Sequence, residues 1–68
     1  MNRAQKKRTA KLMRSALEVE ATILFAKGYL IGSMLIRDIL EKSTDDDMIA
    51  MADRVDRLNA ERNAKARV

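Results

Sequence analysis

Residues 21–40 read ATILFAKGYLIGSMLIRDIL, and the placing of the polar residues in this run decides the fold. Its most apolar window, Ala21 to Ile36, contains Lys27. It falls short of the about 20 mostly apolar residues that a bilayer span requires, and a lysine in mid-span is costly. A membrane partner is therefore not expected. On a helical wheel at about 100° per residue, the polar residues fall into two lines. Thr22, Ser33 and Arg37 form one, and Glu20, Lys27 and Asp38 the other. Between them lie two apolar sectors. A broad arc holds Met13, Leu17, Ala21, Leu24, Phe25, Gly28, Tyr29, Ile31, Gly32, Leu35, Ile36 and Ile39. A narrower stripe holds Leu12, Ala16, Val19, Ile23, Leu30 and Met34. An ordinary surface helix has one apolar face, so this one is expected to serve two partners.

The rest of the chain can supply only one of them. The 68 residues contain no Pro, no Cys, no His and two Gly. Ala, Leu, Ile, Met, Lys and Arg dominate, which favours helix over strand. The expected fold is all-α: a single domain over residues 1–68 forming an antiparallel helical hairpin. Helix 1 is expected over 3–42, opened by Asn2 with Gln5 as a capping box. A turn at 43–46 and a shorter helix 2 over 45–66 follow. Thr44 and Asp47 form a second capping box, and Asp45, Asp46 and Asp47 suit the positive end of that helix. Helix 2 has only a narrow stripe, Met48, Met51, Ala52, Val55 and Leu58, enough for one face of helix 1. Pairing across such a hairpin would set Lys27 beside Glu61, Glu20 beside Arg67, and Met34 or Leu35 near Asp53.

A domain this small usually needs disulfides, a metal or oligomerisation to be stable. Without Cys or His, disulfides and the usual zinc sites are unavailable, which leaves oligomerisation. A homo-oligomeric helical bundle, most simply a dimer, is expected. Gly28 and Gly32 form a GxxxG step in the broad arc that would let a second helix approach closely. The expected assembly face is Leu17, Leu24, Phe25, Gly28, Ile31, Gly32 and Leu35, with the choice between the two faces open.

The net charge of +4 is unevenly placed. Residues 1–14 carry Arg3, Lys6, Lys7, Arg8, Lys11 and Arg14 and no acidic side chain, while residues 15–42 and 43–68 each sum to −1. A basic arm of this kind points to an anionic partner. Nucleic acid is the leading expectation, through backbone contacts that depend on salt. No aromatic residue interleaves the cations, so base stacking is not suggested. The alternative is a protein-interaction module whose second apolar face docks on another protein: an inhibitor, adaptor or virion component of the sort that phages and plasmids encode.

Enzyme chemistry is not expected. There is no His for general acid–base work and no Cys nucleophile, Ser15, Thr22 and Ser33 have no nearby base, and no glycine-rich phosphate loop occurs. Glu18 and Glu20 do not share a helix face. The Asp45–Asp47 run lacks the alternating ligands, glycine and distal Glu of a calcium loop. The five Met residues read as core filling. No cofactor or metal is expected. The absence of Cys and of a cleavable leader pattern suits a cytoplasmic protein.

A basic helix entering an apolar repeat is the plan of basic-zipper proteins, but Met13, Glu20, Lys27 and Met34 at heptad spacing place charges in the seam and exclude that match. In length and two-helix plan the chain resembles the Rop family of small plasmid regulators, which are RNA-binding hairpin dimers. The resemblance is one of plan, without a shared motif, and assigns no residue a role.

Overall fold

A computed structural model describes residues 1–66 and is all-helical over them, with no strand. Three helices replace the expected two: α1 (Arg3–Ala26), α2 (Leu30–Lys42) and α3 (Asp45–Ala66). Both capping boxes form. The Asn2 side chain accepts from the Gln5 N–H while Gln5 Oε1 accepts from the Asn2 N–H, each at 2.9 Å. At α3, Asp47 Oδ2 accepts from the Thr44 N–H at 2.9 Å, and Thr44 Oγ1 accepts from the Asp47 N–H at 3.2 Å.

The expected continuous helix over 3–42 is broken at Lys27-Gly28-Tyr29. Gly28 has φ of +86°, a left-handed conformation that side chains with a Cβ rarely adopt. The Tyr29 N–H donates to the Leu24 carbonyl at 2.9 Å, and the Gly28 N–H to the Phe25 carbonyl at 3.0 Å. These two bonds form a Schellman cap, which satisfies carbonyls that the end of α1 would otherwise leave unpaired. Gly28 is therefore a terminator. A Cβ built on it would meet nothing within 4 Å, so its small size serves no close approach within the chain.

The break lets α2 fold back along α1. Ser33 donates to the Ala21 carbonyl at 2.8 Å, and Arg14 reaches the Leu40 carbonyl at 3.4 Å. As the position rises along α2 it falls along α1, so the two helices run antiparallel. Small residues set the closeness of the crossing. Ala21 and Ser33 are buried, and a Cβ on Gly32 would stand 3.4 Å from Leu24 Cδ1. The burial of Ser33 costs nothing in unpaired polar atoms because its hydroxyl is bonded.

The expected turn at 43–46 is the two-residue link 43–44, and α3 then crosses α1 near Ala10, where Met48 is fully buried. Ala52 and Val55 of α3 face Leu12 and Ala16 of α1 across a groove. From Asp53 to Ala66 every residue is exposed. α2 and α3 do not pack on one another; both lie on α1. The expected pairs of Lys27 with Glu61 and of Met34 or Leu35 with Asp53 are thus corrected, because α3 meets the N-terminal half of α1 and never reaches the Gly28 turn. Lys27 is the exposed C-cap of α1. The expected pair of Glu20 with Arg67 lies outside the described residues.

The result is a slab of 36 × 36 × 14 Å with a radius of gyration of 13.9 Å, against about 11 Å for a compact chain of this length. Its accessible surface is 5788 Å², whereas a folded monomer of 7.7 kDa exposes about 4,300 Å². Three helices with one in common cannot enclose a core. Among the described apolar residues only Ala10, Ala21 and Met48 are fully buried.

Candidate functional site: a basic arm and two apolar faces

The basic arm forms the first turns of α1. Arg3, Lys6, Lys7, Arg8 and Lys11 are all exposed, and none makes an ion pair among the described residues. The inward line of α1 changes character at Ala10. Beyond it run Met13, Leu17, Ala21 and Leu24, which face α2 and α3. Before it the same line carries Arg3, Lys6 and Lys7, which no other helix among the described residues covers. At about 100° per residue, Arg3, Lys7 and Lys11 occupy one quadrant of the helix, with Lys6 and Arg8 on its flanks. No acidic residue lies in the first turn of α1, so the cations add to the positive end of the helix dipole and leave a strong field for an anion.

Arg14, the sixth residue of the expected arm, is placed apart from the others. Its guanidinium donates to the Leu40 carbonyl at 3.4 Å, to the Ser43 carbonyl at 3.1 Å and to Asp45 Oδ1 at 3.0 Å. It caps the C-terminal carbonyls of α2 and ties the start of α3 to the middle of α1. A planar fork with several donors suits this triple role. The sequence signal was Asp45 itself, an acid at the start of a helix with an arginine one helix away.

The residues expected to form an assembly face separate into two groups. Leu17, Leu24 and Gly32 are half-buried within the chain, packed between α1 and its two neighbours, and Gly28 is the helix terminator. Phe25, Ile31 and Leu35 are exposed, and Tyr29, Leu30 and Met34 join them. Every one of these six is more than half exposed, with Ile31 at 75%. They form an apolar tip around the Gly28 turn, closed on the outer side of α2 by the Asp38–Lys42 ion pair at 3.1 Å.

The second apolar face is the narrow stripe of α1. Leu12 is 66% exposed and Val19 59%, with Ile23 and Ala16 also exposed. At its N-terminal end the stripe borders the α1–α3 groove of Leu12, Ala16, Ala52 and Val55. At its C-terminal end the exposed Val19 and Ile23 lie beside Ser15, Glu18 and Thr22 of the same helix. No helix among the described residues is long and apolar enough to cross a membrane.

No family model, curated protein or solved structure matches this chain.

Proposed function

We propose that this chain is a small cytoplasmic, non-enzymatic helical protein that assembles with itself and binds nucleic acid through its basic arm. The observation that carries the reading is the display of Arg3, Lys6, Lys7, Arg8 and Lys11 on an ordered, capped helix start, exposed and without an acidic partner among the described residues. Five fixed cations beside phosphates release condensed counterions, and each phosphate neutralised on a duplex contributes about 0.9 to the slope of log affinity against log salt. The contacts go to backbone phosphates, so the binding is weakly selective for sequence. Arg14 is outside this surface, because its guanidinium is committed to the α2–α3 junction.

The test is retardation of a labelled duplex and of a labelled single-stranded RNA at rising salt. Charge reversal of Lys6, Lys7 and Arg8 together is expected to abolish retardation and to leave the helical circular dichroism intact. Unchanged binding by that variant would refute the reading.

A second reading has its own support. The tip formed by Phe25, Tyr29, Leu30, Ile31, Met34 and Leu35 is a contiguous exposed apolar patch, and large patches of this kind mark protein contacts. In this reading the tip docks on another protein, as an inhibitor, adaptor or virion component would.

A further inference from the structure

The geometry points to a second copy of this chain as the occupant of the α1 stripe, in an antiparallel two-fold dimer. The surface area sets the need. The chain exposes roughly 1,500 Å² more than a folded monomer of its mass, and one partner in a stable complex contributes about 800 Å². A single standard interface is therefore well within the excess.

The stripe is self-complementary in one orientation. Its N-terminal half is a groove, with Leu12 and Ala16 on one wall and Ala52 and Val55 on the other. In its C-terminal half Val19 and Ile23 project as exposed side chains, with only α1 residues around them. A two-fold axis between Leu17 and Glu18 sets positions that sum to about 35 opposite one another. Ile23 of each copy then lies against Leu12 of the other, and Val19 against the small Ala16. Each groove takes the other's Val19 and Ile23, as an isologous interface requires. A parallel pair would set groove against groove.

Charge selects the same orientation. A parallel pair would hold the two five-cation arms side by side, about 10 Å apart, where like charges repel. The antiparallel pair sends them to opposite ends. Lys7 stands about ten residues from the axis, so at 1.5 Å per residue the arms are roughly 30–35 Å apart. If the arms bind nucleic acid as proposed above, that separation is close to one turn of a B-form duplex; this consequence rests on that reading, and the dimer itself does not.

The chain has no cysteine, which permits a clean test without nucleic acid. Leu12→Cys and Ile23→Cys are made as separate proteins, mixed, and treated with a short bismaleimide. The expected product is the mixed Leu12→Cys/Ile23→Cys crosslink, formed in preference to either self-crosslink and faster than the self-crosslink of Ile31→Cys at the tip. Dominant self-crosslinking of Leu12→Cys would show a parallel pair and overturn the proposal, as would crosslinking no faster than at the tip. Val19→Glu is expected to weaken the dimer on the order of 100-fold or more, since the carboxylate would be buried unpaired, while Ile31→Glu leaves it intact. The reverse pattern would place the interface at the tip and overturn the proposal. Should Val19→Glu fail to fold, the crosslinking result decides alone.

Discussion

Gly28→Ala and Gly32→Ala are expected to change stability in opposite directions, although the two residues belong to one GxxxG step. At Gly28 the backbone has φ of +86° and a Cβ would meet nothing within 4 Å. The whole cost is conformational, about 1–2 kcal/mol for holding an L side chain in the left-handed region. For a domain of this size that lowers the midpoint of thermal unfolding by roughly 5–15 °C. Gly28→Asn should lose less, because Asn tolerates this conformation better than other residues with a Cβ. At Gly32 the residue is helical, and the new methyl would stand 3.4 Å from Leu24 Cδ1, an ordinary contact with the end of a flexible side chain. Replacing glycine by alanine inside a helix gains up to about 1 kcal/mol, so Gly32→Ala should melt at or above the parent temperature. The assay is thermal unfolding followed by circular dichroism at one fixed protomer concentration, because self-association makes the midpoint depend on concentration. If both substitutions destabilise alike, and weaken self-association together, the GxxxG step is an intermolecular crossing after all and the terminator role assigned to Gly28 is wrong.

Arg14→Gln should cost about 1–2 kcal/mol in denaturant unfolding, a charge-assisted set of bonds discounted because the side chain is 31% exposed. The same variant should bind nucleic acid as the parent does at temperatures where it is folded, and a loss as large as that of Lys7→Gln would return Arg14 to the binding surface. Thr44→Ala removes the α3 cap and is expected to lower stability by about 1 kcal/mol, read as a fall in the denaturant midpoint without a change in slope. Ser33→Val forfeits the bond to the Ala21 carbonyl and adds volume at the closest part of the α1–α2 crossing, so a loss of about 1–3 kcal/mol is expected; no loss would mean that the crossing is looser than the 2.8 Å bond implies. A duplex of about 20 base pairs should bind more tightly than two separate duplexes of about 8, since only the longer one reaches both arms, and equal affinity per arm would count against paired arms.

Much of the local structure was legible from residue order. The Asn2–Gln5 and Thr44–Asp47 boxes are short-range devices, so their residues specify them without help from the rest of the chain. The extent of α3 follows from its cap and its unbroken helix-forming run. The existence of two apolar sectors on the expected helix 1 was readable, but which of them stays uncovered was not: the expectation favoured the broad arc, whereas Leu12, Ala16, Val19 and Ile23 of the narrow stripe are exposed. The reversal at Gly28 was missed for a physical reason. A helical wheel assumes one straight axis, and the apolar phase of Leu24 and Phe25 runs on into Ile31 and Leu35 as though no turn intervened. The available signal was Gly28 followed by apolar Tyr29, with Leu24 five residues before it, the pattern of a Schellman cap.

The role of Arg14 was hidden differently. Within the run 3–14 it is one cation among six, and only the fold brings the α2 C-terminus and Asp45 to it. The same fold leaves the other five without partners among the described residues, so one charge run serves as both arm and brace. Leu17 and Leu24, named for an assembly face, are half-buried within the chain for a related reason. Once α2 folds back, the part of the broad arc at Leu17, Ala21 and Leu24 is packed within the chain, while Phe25, Tyr29, Ile31 and Leu35 stay exposed at the tip and Leu12, Ala16, Val19 and Ile23 along the stripe.

The mass of the protein in solution, measured by light scattering after size-exclusion chromatography at low and at high salt, tests whether the chain pairs with itself. Twice the protomer mass of 7.7 kDa is expected at both, with the dimer tightening as salt screens the repulsion between arms and strengthens apolar burial. A mass of one protomer at every concentration tested would contradict the pairing, because the exposed stripe would then have no second copy to cover it.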